Sequence, residues 1–281
     1  MPELPEVETT RLGLAPHLIG RRITQITLHR RDLRWPIPEQ IYALQGAMIH
    51  ALSRRAKYLL VETDAGTALW HLGMSGSLRI LNPETERKLH DHVSWHLDSG
   101  MQLRFHDPRR FGCLLYLSPD PPADCAAAEP GISALSLLNV LGPEPLADAF
   151  NGADFYRASR NRKQPIKHFL MDQANVTGVG NIYAAESLFQ AGVRPNRAAG
   201  SLTKLECQRL VLYVKTILAS AITQGGTTLR DFVNPDGVPG YFEQALFVYG
   251  RAGKPCKRCE SVILLAALGN RQSSYCPKCQ R

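Results

Sequence analysis

The chain has 281 residues, 44% hydrophobic, 21% charged and 7% aromatic, the composition of an ordinary globular protein with room for two domains. An excess of 33 Lys and Arg over 25 Asp and Glu leaves a net charge of +8, a balance suited to a polyanion, although many basic proteins never touch nucleic acid. The absence of an 18-residue apolar run argues against a transmembrane helix, and the acidic, Pro-punctuated start Met1-Pro2-Glu3-Leu4-Pro5-Glu6-Val7-Glu8 is the opposite of a signal peptide; a soluble, intracellular protein is expected.

The first element is a helix. Pro5 fits its first turn, Glu6 and Glu8 lie near its positive end, and Val7, Leu14 and Leu18 share one face. Short strand-like runs follow at Ile23–Leu28, Tyr58–Glu62, Ala68–Leu72, Leu78–Leu81, Val93–Leu97, Met101–Phe105 and Cys113–Leu117. Strict apolar alternation in Met101–Phe105 is the period of a half-buried strand, and many such runs separated by turn residues predict a sandwich. Residues 118–135, with Pro119, Pro121 and Pro122, read as an exposed linker or insertion. Beyond Pro145 the periodicity becomes helical. One helix carries Ile166, Phe169 and Leu170, and a second is capped by Asn181 and stopped by Gly192. A third opens with the capping box Thr203-Lys204-Leu205-Glu206 and presents Leu210, Val214, Ile217 and Ala221 on one face.

Four local patterns carry chemistry. Cys256-x2-Cys259-x16-Cys276-x2-Cys279 supplies two thiolate pairs that can close a tetrahedral zinc site, with the 16 intervening residues forming a β-hairpin. Four thiolates leave no open coordination position, so such a zinc is structural. Free structural cysteines are the bland alternative. Lys254, Lys257, Arg258, Arg271, Lys278 and Arg281 make this segment basic. Thr177-Gly178-Val179-Gly180-Asn181 can present backbone amides to a phosphate or serve as a plain helix–turn–helix joint. The loops His71–Gly76 and Asp107–Gly112 carry Met74 and Phe111, which on this evidence alone read as core residues and in a DNA binder become candidate wedges for a base stack. Last, removal of Met1 exposes the secondary amine of Pro2, a nucleophile able to form an iminium, with Glu3 and Lys57 available for proton transfer. In isolation that pattern reads as a routine Pro-rich start and a surface lysine.

Taken together and in this order, these patterns resemble the formamidopyrimidine-DNA glycosylases, within the larger family that includes endonuclease VIII. The resemblance covers Pro2–Thr9, Arg55–Leu60, His71–Ser77, Asp107–Gly112, Val176–Leu188, Gly225–Phe232, Tyr249–Gly253 and the four cysteines. It implies an α+β multidomain protein. An N-terminal β-sandwich with an N-terminal helix would span residues 1–135, a helix–two-turn–helix domain 136–240, and a four-cysteine zinc finger 241–281. It implies a bifunctional glycosylase and abasic-site lyase that acts on damaged double-stranded DNA, as a monomer and with one structural zinc. Excision of oxidised purines through a Schiff base would precede β,δ-elimination.

By the same resemblance Pro2 is the nucleophile, Glu3 the acid, Lys57 a group for phosphate contact and β-elimination, and Arg271 the residue linked to δ-elimination. Met74, Arg109 and Phe111 would fill the gap left by the extruded nucleotide, with Arg109 facing the orphaned cytosine. His90, Arg162, Lys163, Asn181 and Tyr241 would contact backbone phosphates, and the loop after Gly225-Gly226-Thr227-Thr228 would close over the base. The chain departs from the family pattern at Thr177, Ala185, Glu260 and Asn270. Two other readings remain at this point: an endonuclease VIII-like enzyme for oxidised pyrimidines, against which stand Leu4 and the Met74, Arg109, Phe111 trio, and a non-catalytic zinc-dependent damage binder, which would have no use for Pro2-Glu3 with Lys57.

Overall fold

The computed structural model describes residues 2–120, 133–225, 246–269 and 271–281, except for the side chain of Arg271. They divide into two compact units, one running to Val140 and one beginning at Leu141 and including the C-terminal segment.

In the first unit the chain starts with α1 (Leu4–Leu18) and then forms two four-stranded antiparallel sheets. One has the order β1 (Ile23–Leu28), β6 (Asp91–Leu97), β7 (Gln102–His106), β5 (Ser77–Leu81); the other β2 (Ile49–Arg55), β3 (Tyr58–Thr63), β4 (Gly66–His71), β8 (Cys113–Leu117). Their inner faces share one core: Ile26, Val93, Leu103 and Phe105 from the first sheet meet Leu52, Val61, Trp70 and Leu114 from the second. Trp70 touches Trp95 and Phe105 with ring centroids 5.6 and 5.0 Å away, contacts that favour a single packing of the sheets. Val7, Leu14 and Leu18 of α1 join the same core, as their common face predicts. The sandwich and all seven expected strands are present, with ends shifted by up to two residues.

Strand β2 escaped sequence reading. Only Ile49 and Leu52 are buried along it, and a register shift between Ile49 and Ala51 breaks the alternation that would have marked it. Residues 121–132 of the expected insertion lie outside the described residues, and Ala134–Asn139 forms a short helix, α2, over the outer face of β8.

The second unit contains α3 (Gly152–Ser159), α4 (Ile166–Met171), α5 (Asn181–Ala191) and α6 (Lys204–Thr223), then the hairpin β9 (Leu264–Leu268) and β10 (Arg271–Tyr275). The Thr203–Glu206 capping box forms as expected, and Gly192 ends α5 with φ +71, a conformation natural to glycine. Two details differ from expectation. The cap of α5 is Gly180, and Asn181 is the first helical residue, because the extended backbone at Gly180 completes the turn itself. On α6 the buried face runs through Cys207, Leu210, Val211, Val214, Leu218 and Ala221, leaving Ile217 half-buried, since a 3.6-residue period brings Leu218 inward. The short helix α3 was not expected; Asn151 caps it by accepting from Asp154 N–H at 3.0 Å.

Candidate active site and zinc centre

Pro2 and Glu3 are both buried, where the extended N-terminal segment turns into α1. Glu6 accepts the Glu3 backbone N–H at 2.8 Å and so fixes the entry of the chain into the helix. Two residues further on, Glu8 binds Arg11 at 2.7 Å and Arg54 of β2 at 3.0 Å. Burial pushes the Glu8 carboxyl up, but the two guanidinium groups outweigh it and hold the group below the usual carboxylate range. Arg54 also donates to the Ala56 carbonyl at 2.9 Å. Ala56 and Lys57 form the two-residue turn between β2 and β3, with Ala56 at φ 55 and Lys57 only 7% exposed. A chain of charge-assisted bonds thus runs from α1 to the turn that carries Lys57.

At the end of β4, His71 accepts the Gly73 N–H on Nδ1 at 2.9 Å, which leaves the proton of the neutral ring on Nε2. Burial, reinforced by the Lys57 and Arg34 cations, lowers the His71 pKa to about 4. Met74 is half-buried and Phe111 is 45% exposed, so these tips are not core residues. With Leu33, Arg34, His71 and the exposed Arg109 they line a cavity of about 550 Å³. The Arg109 guanidinium lies 5.2 Å from the Phe111 ring centroid.

His90 immediately precedes β6 and is half-buried, with the His92 and His106 rings edge-on to it at 6.2 and 5.9 Å. Behind it the buried Asp91 binds Arg79, Arg104 and His106 at 3.1, 3.2 and 2.7 Å. In the second unit Arg162 and Lys163 are exposed and line a separate cavity of about 500 Å³ with Asn161, Asp172 and Asn175. The Asn181 Oδ1 at the start of α5 is buried and accepts no hydrogen bond among the described residues. Thr177, one of the departures, is satisfied by the Pro143 carbonyl and Glu144 Oε1, each at 3.2 Å. Tyr241 and residues 226–228 of the expected closing loop lie outside the described residues, as does Asn270; of Arg271 only the backbone, opening β10, is described. His71, Arg34, Ser75 and Asp107 were not singled out as site residues from sequence, although His71, Ser75 and Asp107 sit inside the two loops that were.

The four finger cysteines converge. Their sulfurs lie within 4.8 Å of one another, with Cys256–Cys279 at 3.9 Å and Cys259–Cys276 at 3.4 Å. A zinc tetrahedron with Zn–S bonds of ~2.3 Å has S–S edges of ~3.8 Å, so the residues fit the ion. Glu260 takes φ 62 in the knuckle, the left-handed conformation that a glycine there would adopt freely.

The finger packs on α5 through Ala185, Phe189, Val248, Ile263 and the two buried cysteines. Buried Glu186 anchors its approach by accepting the Phe247, Val248 and Tyr249 N–H groups at 2.9, 2.9 and 2.8 Å. Burial raises its carboxyl pKa despite those three donors.

Comparison with known proteins agrees along the whole chain. Residues 1–114 match the formamidopyrimidine-DNA glycosylase N-terminal domain, 141–233 the formamidopyrimidine-DNA glycosylase H2TH domain, and 253–281 the zinc finger found in FPG and IleRS. The formamidopyrimidine-DNA glycosylase of Stenotrophomonas maltophilia strain R551-3 is 57% identical over 282 residues, and that of Xanthomonas axonopodis pv. citri strain 306 is 57% identical over 283, each covering 100% of both chains. Among solved structures, MutM (Fpg) from Thermus thermophilus superposes with a TM-score of 0.87 at 38% identity, covering 99% of this chain and 98% of that one. Lactococcus lactis Fpg in complex with DNA containing Fapy-dG has a TM-score of 0.87 at 32% identity, covering 99% and 100%. The chain belongs to the formamidopyrimidine-DNA glycosylase family, and its finger is the structural zinc module of that family.

Proposed function

We infer that this protein removes oxidised purines, 8-oxoguanine and formamidopyrimidines, from duplex DNA and then cuts the sugar–phosphate backbone, with Pro2 as the nucleophile. The observation that carries the reading is the linkage of the buried Pro2-Glu3 start to the Lys57 turn through Glu8 and Arg54. It ties the helix that follows Pro2-Glu3 to the turn that carries Lys57. Complexes of the Lactococcus lactis relative with Fapy-dG DNA and with abasic-site DNA support both the lesion class and the lyase step.

The target carbon, C1′, is inaccessible inside a duplex, so the nucleotide must be extruded, at a cost of a few kcal/mol. Met74, half-buried, and Phe111, 45% exposed, offset that cost by occupying the gap. Arg109, exposed beside Phe111, meets the orphaned cytosine, whose O2 and N3 accept from a guanidinium.

Once Met1 is removed, the terminal secondary amine has an intrinsic pKa of roughly 7.7–8.0, so part of it is unprotonated at neutral pH. Its lone pair forms a bond to C1′ as the bond from C1′ to the base breaks and the base departs with the electron pair. Glu3 supplies the proton that opening of the sugar at O4′ requires. The resulting iminium withdraws electrons from C2′; loss of a C2′ proton expels the 3′ phosphate, and a second elimination expels the 5′ phosphate. Lys57 and Arg271 serve these eliminations, while His90, Arg162, Lys163, Asn181 and Tyr241 hold the flanking phosphates. Zinc supplies the folding energy of the finger and no chemistry, because four thiolates fill its coordination sphere. The protein works in the cytoplasm, on DNA there.

Borohydride trapping on an 8-oxoguanine:cytosine duplex tests the assignment. The expected adduct maps by mass to Pro2, and a chain that retains Met1 gives none while still binding the duplex. Full trapping by the Met1-retaining chain would overturn the reading.

A further inference from the structure

The two loops read above as wedges are not independent. Ser75, 3% exposed, donates its hydroxyl to Asp107 Oδ1 at 2.8 Å and accepts the Arg109 backbone N–H at 3.3 Å. The other carboxylate oxygen of Asp107, a fully buried residue, accepts the Gly112 N–H at 2.8 Å. One carboxylate therefore grips both ends of the Arg109–Phe111 loop, directly at Gly112 and through Ser75 at Arg109, while Ser75 belongs to the loop that carries Met74. The backbone of Asp107 continues the linkage: its N–H donates to the His90 carbonyl at 3.0 Å, and its own carbonyl accepts from His92 Nε2 at 2.9 Å. The loops also meet backbone to backbone. A Cβ added at Gly73 would lie 2.3 Å from Gly112 N and 2.4 Å from the Phe111 carbonyl carbon, so nothing larger fits between them.

We propose that Asp107 and Ser75 are positioning residues that set discrimination for the base opposite the lesion, by holding Met74, Arg109 and Phe111 in one register. The inference rests on the wedge reading of that trio. Both side chains are buried, so neither reaches DNA; they act on the backbone from which the three side chains project. Two buried acceptor oxygens, each met by a donor on a different loop segment, admit one arrangement of the loops. Loss of the cross-loop bond leaves Arg109 attached to its strand but free to miss the acceptors of cytosine, a tolerance set by fractions of an ångström.

The test is a double-mutant cycle on single-turnover excision of 8-oxoguanine opposite cytosine and opposite adenine, using the full zinc-loaded protein. Ser75→Ala removes both bonds of its hydroxyl, to Asp107 and from the Arg109 N–H, and should compress the cytosine-to-adenine ratio about fivefold to tenfold, on the order of a net buried hydrogen bond. Strand cleavage at a preformed abasic site, which needs no wedge-dependent extrusion of a base, should change less than about twofold on the same reasoning. Arg109→Ala should compress the ratio further, and Ser75→Ala in that background should add nothing, since both act through one contact. If Ser75→Ala folds poorly, Asp107→Asn stands in, because an amide keeps one acceptor oxygen where two donors converge.

An unchanged ratio in Ser75→Ala and Asp107→Asn, with the ratio compressed in Arg109→Ala, overturns this proposal and leaves the wedge reading intact. Strictly additive effects of Ser75→Ala and Arg109→Ala also overturn it. An unchanged ratio in Arg109→Ala overturns the wedge reading, and the proposal with it.

Discussion

His71 shows how single residues acquire chemistry from their surroundings. Its Nδ1 is occupied by the Gly73 N–H, and burial with the Lys57 and Arg34 cations lowers its pKa to about 4. The imidazole is therefore neutral throughout the working range and carries its proton on Nε2. A depressed histidine pKa contributes stability above the unfolded value of 6.5, and that contribution is lost as pH falls through about 4. Lys57→Met removes one of the two cations and should raise the His71 pKa, though not to 6.5, because burial is the larger cause. Ring-nitrogen chemical shifts followed from pH 3 to 8 would measure both values. A wild-type midpoint near 6.5 would contradict the assignment. Sequence could place His71 at the end of a strand but could not give its tautomer, which depends on a backbone N–H two residues away.

The finger is the element whose stability has the narrowest base. Its hairpin leaves Val262, Leu264 and Leu265 exposed, and among the described residues its apolar core is small: Val248, Ile263 and the cysteines against Ala185 and Phe189 of α5. Glu260 in the left-handed conformation costs it further. Zinc must therefore supply most of the folding energy, ~10–16 kcal/mol in comparable peptides. Chelation, or Cys256→Ser, should unfold residues around the finger and weaken duplex binding at least tenfold, roughly the share of one lost group of phosphate contacts. The sandwich, with a core of its own, should stay folded. Hydrogen exchange on the metal-free protein would separate the two, and undiminished DNA affinity in protein shown to be metal-free would refute the prediction. This element was the most legible in sequence, because ligand spacing states the geometry directly. The opposite case is β2, where a bulge and a polar outer face hide a strand that carries Arg54 to the site.

For the whole molecule, the excess of positive charge predicts binding that weakens steeply with salt. Each phosphate contact contributes about −0.9 to the slope of log affinity against log salt. Lys163→Ala should reduce that slope by about 0.9 and weaken damaged and undamaged duplexes alike. Equilibrium titrations at three salt concentrations would check this, and a selective loss for damaged DNA would show that Lys163 does more than hold a phosphate.

What the chain determined by itself was what depends on local spacing: the four cysteines, the Thr203–Glu206 cap, and the alternation that makes the sandwich. What only tertiary structure decided was the convergence of residues distant in sequence. Glu8 reaches Arg54 across 46 positions and Ser75 reaches Asp107 across 32. Such pairs leave no periodic trace, because a buried carboxylate finds its donors through the packing of strands rather than through the order of the chain.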